Sequence, residues 1–259
     1  MEVYLRKKHK SKWTIPCHTI SSSDAEYLFR LMIRSGRKIP KDWQGGLKML
    51  YSLGGVQPAH LRIFNEPKTS SIYNVVAAIP GAWESDRYVI VGCSHDSWTY
   101  GAGDPGLGLA LLTEIARVFA TAVQKGWKTR RSILFVSWDA NLYASSGVSH
   151  WLQEHHFEIS SRAVAYIDLT RVLQGNQTLQ VHSSPLLREV TRKAIVRVKR
   201  GSSGSQLLTK NDRPTTVAPT PAAAPIDFSS TVDSDEPSFA FLGNLGIPFI
   251  RATVVNGPK

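Results

Sequence analysis

The sequence predicts a three-layer α/β/α sandwich with a mainly parallel central sheet. Short runs that are apolar throughout, as in strands covered on both faces, recur along the chain. Longer stretches with a helical period lie between them. The two kinds of segment alternate, which is the pattern of helices packed on a parallel sheet.

Residues 1–70 read as a lead-in. Ser23 followed by DAEYLFRLMI at 24–33 predicts one capped helix, and Gly36, Pro40, Gly45 and Gly46 break any longer element. From residue 71 the rhythm changes. IYNVVAAI (72–79) and RYVIVGC (87–93) are β-branched or apolar runs separated by the turn-like PGAWESD. The stretch 106–123 places apolar residues at 108, 111, 112, 115, 118, 119 and 122, a helical period. SILFVSW (132–138) predicts a further buried strand, 146–156 a helix, AVAYIDL (163–169) a strand and LQVH (179–182) a short one. Residues 184–199 read as a basic amphipathic helix. The α/β domain so defined covers 71–200. Residues 201–237, rich in Ser, Thr, Pro and Ala, predict a mobile low-complexity loop. The alternation resumes over 238–259 with SFAFLGNLG and the strand IPFIRATVV (247–255).

The chain's 259 residues, 42% hydrophobic, suffice for one large core or a core plus an appendage. No run reaches the roughly 18 consecutive apolar residues of a membrane span, and MEVYLRKKHK has no apolar core of a secretory signal. The net charge of +11 is concentrated at Arg6–Lys12 and Arg192–Arg200. Neither cluster alternates with aromatic residues, so the expectation is a tail and a solvated helix face with no nucleic-acid partner. Cys93 ends an apolar run and reads as a small buried residue, although pairing with Cys17 is open. Asn176-Gln177-Thr178 is a glycosylation sequon, informative only for an extracellular chain.

In open parallel sheets, ligands bind at the carboxyl ends of strands. Those places carry CSHDSW (93–98), GAGDPGLG (101–108), SWDANLY (137–143) and IDLTR (167–171). In order and content these segments resemble the peptidase domain of the glutamate carboxypeptidase II and transferrin receptor family. Supporting text includes IYNVVAAIPGAWESDRYVIVG, GWKTRRSILFVSWDA and GNQTLQV, so the resemblance covers about residues 12–255. It implies a co-catalytic zinc exopeptidase-like fold truncated at both ends: 1–70 leading in from the apical region, and the helical dimerisation domain of the homodimeric relatives absent.

Active relatives hold two zinc ions, with a Glu as general base; paired metals about 3.5–4 Å apart share a hydroxide. The resemblance assigns the first His ligand to Ser94, followed by the ligand-orienting position Asp96. It assigns the bridging carboxylate to Asp104, which is retained; Asp104 equally reads as the N-cap of a helix beginning near Pro105. The base falls at Asn141, whose amide has no useful basicity. The next ligand falls at Leu142, and a further Asp ligand falls at Thr170. The last His lies beyond Lys259. His95 and Asp168 are the nearest substitutes. His95 needs a shifted register, because successive strand residues face opposite ways, and Asp168 stands about 6.6 Å along the strand from Thr170. His150 and Gln153 replace the carboxylates of a structural calcium site, and Arg251 matches an arginine that binds acidic substrate side chains. As a strand-end arginine, Arg251 reads equally well as a surface residue.

Three readings follow from the resemblance. One is a non-catalytic, receptor-like ectodomain binding a peptide or protein at the outer face of the plasma membrane. Another is a zinc carboxypeptidase or dipeptidase acting on acidic peptides with unconventional ligands. The third is a partial gene product of such a protein. Whether the chain is an enzyme is open at this point.

Overall fold

In the computed structural model, residues 17–33, 36–56, 58, 60–64, 69–176, 178–197, 227–229, 231–232 and 236–256 are described. The basic run at 6–12 and most of the 201–237 loop lie outside the described residues. The chain divides into two units, Met1–Ser70 and Ser71–Lys259.

The first unit carries helix α1 (Ser22–Ile33) and a two-stranded antiparallel ladder of β1 (Arg37–Lys38) and β2 (Ser52–Leu53). Its cap is Ser21, not Ser23. Ser21 Oγ accepts the backbone N–H of Asp24 at 3.1 Å and donates to Asp24 Oδ2 at 2.6 Å. Ser21 has Asp24 three positions on, the spacing of a capping box; Ser23 has Glu26 at the same spacing but already lies inside the helix, which begins at Ser22.

The second unit is a seven-stranded sheet: β3 (Val75–Ile79), β4 (Glu84–Ser94), β5 (Arg131–Trp138), β6 (Ala163–Asp168), β7 (Thr178–Ser183), β8 (Asp227–Ser229) and β9 (Phe249–Val255). Their spatial order is β3-β5-β4-β6-β9-β7-β8. The central pairs β5–β4, β4–β6 and β6–β9 are parallel, as is β7–β8; β3–β5 and β9–β7 are antiparallel. The mainly parallel, three-layer reading therefore holds.

Alternating residues of the central strands feed two cores. On one face Ile90, Val136, Trp138, Tyr166 and Phe249 pack with residues of α3 (Ser146–Glu154), α4 (His156–Arg162) and α6 (Pro237–Leu245). On the other, Val91, Cys93, Ile133 and Phe135 pack under α2 (Leu107–Gln124). Helix α2 is long and apolar enough to cross a membrane by length and composition. Here Leu109, Leu112, Ile115 and Phe119 of that helix lie on the sheet. Gly108 permits the approach, since a Cβ there would stand 2.0 Å from the Leu169 carbonyl oxygen. Helix α5 (Pro185–Arg197) follows β7.

Several boundaries differ from those the sequence suggests. The helix expected at 146–156 is two helices broken at His155, and the strand expected from 72 begins at Val75. The strand expected from 247 begins at Phe249. Asp227–Ser229, inside the expected loop, adds a parallel strand to β7. Both cysteines are free, Cys93 fully buried and Cys17 exposed.

Candidate functional site

The parallel strands β4, β5 and β6 all end on one rim, and the residues singled out above gather there because they follow those strand ends. The sheet register sets Ser94 opposite Trp138, and the His95 N–H donates to the Trp138 carbonyl at 2.9 Å. The Leu169 N–H donates to the Gly92 carbonyl at 2.8 Å. The three loops are thus tied to one another before any side chain acts.

Ser94 and Thr170, two positions where the resemblance places zinc ligands, touch each other. Their hydroxyl oxygens are 3.3 Å apart, and the Ser94 N–H also donates to Thr170 Oγ1 at 3.4 Å. Both are buried, 2% and 5% exposed. Thr170 donates its N–H to Asp168 Oδ1 at 2.9 Å, while Asp168 Oδ2 accepts from Ser238 N at 3.2 Å and Ser238 Oγ at 2.9 Å. Asp168, 1% exposed, thus has one oxygen engaged by the loop after β6 and the other by Ser238 of α6.

His95 turns to the other side of its strand. Nδ1 lies 2.7 Å from Ser137 Oγ, and Nε2 lies 3.8 Å from Asp139 Oδ1. It makes no hydrogen bond or ion pair with Asp104 among the described residues. Asp96 accepts the Leu142 N–H at 2.9 Å, pinning the two rim loops together. Asn141, 4% exposed, accepts the Ser145 hydroxyl at 2.9 Å in the turn before α3. The would-be base and its neighbour thus act as loop fasteners. His150 and Gln153 lie exposed on α3, and Asn176 is exposed before β7.

Asp104 is not the helix cap that DPG suggests. It stands in extended conformation (φ −142°, ψ 110°) within a π-type turn, Ala102–Gly106. Gly106 occupies the cap position of α2 and supplies no side-chain bond. Asp104 instead faces a guanidinium, with Arg171 Nε 3.5 Å from Oδ2. Burial raises its carboxyl above the usual range; Arg171 opposes this, and the Asp168 and Asp96 charges add to it. Burial first, then the charges of Asp168 and Asp104, pushes the Cys93 thiol up to about 12, so it stays protonated.

The residues present do not fit a zinc pair. Zinc is held by Cys, His, Asp or Glu donors in converging sets. Among the described residues no group of three such side chains converges. The one retained carboxylate shares its place with a fixed cation. The sequence reading missed Arg171 and Glu236. Arg171 is the basic residue just after the β6 end, and Glu236 the acidic residue before the Pro that opens α6. Both give a local signal, yet neither position announces that the two meet, at 3.3 Å, beneath Arg251. Arg251 is 7% exposed and ion-paired with Glu236, so its reading as a strand-end surface arginine does not hold.

Comparison with known proteins places this geometry. The profile of peptidase family M28 matches residues 74–253. Transferrin receptor protein 2 of Mus musculus is 29% identical over 92% of this chain and 29% of its own length. Aminopeptidase NAALADL1 of Rattus norvegicus is 36% identical over 73% of the chain and 27% of its own length. A glutamate carboxypeptidase 2 homolog of Caenorhabditis briggsae is 35% identical over 70% and 24%. The chain spans under a third of the length of these relatives. The Legionella pneumophila LapA aminopeptidase superposes with a TM-score of 0.50 at 18% identity, over 71% of this chain and 46% of its own. BSAP, a zinc aminopeptidase from Bacillus subtilis, does so with 0.50 at 15%, over 70% and 39%. These two likenesses speak for the fold alone.

Proposed function

This chain belongs to peptidase family M28, and from that premise we propose that it binds a peptide or protein ligand without cleaving it, its metal-ligating positions given over to bonds within the protein. The observation that carries the reading is the contact between Ser94 and Thr170 at 3.3 Å. Two buried hydroxyls satisfy each other where a metal would need an imidazole and a carboxylate. Arg171 beside Asp104 supports it further, since a guanidinium cannot be deprotonated and repels a second cation. Asn141 cannot take a proton, and its amide is already engaged by Ser145. Under this reading the chain belongs to an extracellular, membrane-attached protein and carries a glycan at the exposed Asn176.

The competing reading, a zinc exopeptidase for acidic peptides, draws its support from the names of two relatives, an aminopeptidase and a glutamate carboxypeptidase 2 homolog. One assay separates them: release of a terminal amino acid from acidic dipeptides and aminoacyl reporters, with and without added zinc. We expect none, and Asn141→Glu alone restores none, because loss of a base costs about 100- to 10,000-fold while loss of the metal hydroxide removes the nucleophile too. Robust turnover by the unmodified chain that a chelator abolishes would overturn the proposal.

A further inference from the structure

Helix α2 starts at the rim and ends at the opposite side of the sheet, where β5 begins. That far end carries apolar surface and charge that the fold does not use. Val118, Phe119, Ala122, Lys125 and Trp127 line a recess of about 330 Å³ between the last turns of α2 and the turn into β5. The turn is held in place. The Trp127 N–H donates to the Ala122 carbonyl at 3.0 Å, and its ring meets Phe119 with centroids 5.5 Å apart. Trp127 is nevertheless 46% exposed, and Val118 is exposed beside it. Farther along the same turn, Trp83 and Arg130 line a second cavity of about 340 Å³. The Trp83 N–H donates to the Arg130 carbonyl at 3.3 Å, and the Trp83 side chain is left largely in solvent, the residue 71% exposed. Single exposed apolar side chains are ordinary, but two tryptophans beside two recesses on one turn mark an interaction surface.

The charges on this turn are unevenly matched. Glu84 pairs with Arg130 and Arg131, and Glu114 pairs with Arg117. Lys125 and Lys128 are exposed and form no ion pair among the described residues. We propose that this surface docks an acidic segment of a partner protein, with a bulky apolar side chain in the α2 recess and carboxylates against Lys125 and Lys128. The recess holds about eleven waters' share of liquid, room for a leucine or phenylalanine side chain. Exposed ion pairs contribute little each, so the filled recess supplies the affinity and the two lysines select the partner's charge. A single nucleic-acid strand fits less well. Arg130 and Arg131 are already matched by Glu84, and the Trp127 ring packs on Phe119 instead of standing free to stack a base. A lipid surface is met by protruding apolar groups, not by a recess.

The inference takes its kind of partner from the binding reading above and places the contact away from the rim. The probe is an acetylated, amidated peptide in which phenylalanine and leucine are flanked on each side by two aspartates. One control carries lysines for the aspartates, and the other carries serines for the two apolar residues. Each is titrated against the full chain while the indole N–H signals of Trp83 and Trp127 are followed by NMR. The expected result is saturable shifts with the aspartate peptide and binding at least about tenfold weaker for each control. Lys125→Glu together with Lys128→Glu reverses the order of the aspartate and lysine peptides, which loss of folding would not do. Should that variant fail to fold, the ranking on the unmodified chain decides alone. The lysine peptide binding as tightly as the aspartate peptide, an order unchanged in the folded variant, or no shift with any peptide overturns the inference. So does tighter binding of oligothymidylate or of phosphatidylserine vesicles at the same two indoles. Turnover in the hydrolysis assay above would instead sink the non-catalytic reading and leave this surface standing, because none of its residues lies at the rim.

Discussion

The interior of the sheet and its carboxyl rim are made by the same strands, yet they are built to different standards. In the interior, Trp138 is fully buried, stacks edge-on with Trp151 at 5.3 Å, and donates its indole N–H to Tyr166 OH at 3.1 Å. Tyr166 in turn lies parallel to Phe241, ring centroids 4.0 Å apart. One residue to either side of Trp138, Ser137 and Asp139 face the rim, where contacts are made by short polar groups: Ser137 Oγ lies 2.7 Å and Asp139 Oδ1 3.8 Å from the His95 ring nitrogens. Packing and rim contacts are thus encoded at alternating positions of one strand, and the packing positions build the M28 fold while the neighbouring positions hold the rim loops together.

The sharpest way to break this contrast is to remove its anchor. Trp138→Ala empties a fully enclosed site and leaves Tyr166 OH without its donor, for a loss of about 3–5 kcal/mol in urea unfolding. Val76→Ala on the edge strand β3, 43% exposed, costs no more than about 0.5 kcal/mol. Equal losses would mean that the edge, not the two-core interior, holds the domain together.

That contrast also explains what could be read in the sequence. Strands β4, β5 and β6 were legible because both faces are covered, which leaves an unbroken apolar run. β8 was not, because Asp227–Ser229 is three residues long and sits among Ser, Thr, Pro and Ala, where strand pairing is decided by β7 and not by local propensity. At the rim, the residue types at Ser94, Asn141, Leu142 and Thr170 were legible. Their contacts were not: Ser94 meets Thr170 across 76 positions of sequence, and Arg171 meets Glu236 across 65. Asp104 shows the limit from the other side. An Asp-Pro-Gly before a helical period fits a cap, and only the turn of the backbone at Ala102–Gly106 sends its carboxyl to Arg171.

A smaller effect tests whether the rim hydroxyls act as a pair. Ser94→Ala and Thr170→Val each cost about 0.5–1.5 kcal/mol, the ordinary net worth of a hydrogen bond. At 3.3 and 3.4 Å the two contacts are long, so the coupling in a double-mutant cycle should lie near 0.5 kcal/mol. Strict additivity would show that the hydroxyls stand side by side without a bond and would weaken the case that they have taken over the metal's place.

The smallest effect concerns Asp104, where burial and Arg171 pull in opposite directions. Burial is the larger cause and raises the carboxyl above its ordinary pKa. A carboxyl whose folded pKa exceeds its unfolded one binds more protons when folded, so between the two values stability falls as pH rises, and it stays lower above them. Asp104→Asn removes this titration. The variant should therefore gain on the unmodified protein as pH climbs from the ordinary carboxylate range through the raised value, and hold that gain to neutrality. The side chain is 49% exposed, and solvent screening keeps the difference to a few tenths of a kcal/mol. Urea midpoints of both proteins at intervals from pH 4 to 7 measure it. If the unmodified protein gains on the variant instead, the Arg171 ion pair outweighs burial. The rim would then be held by charge as the interior is held by packing, and the two regions would differ in kind but not in strength.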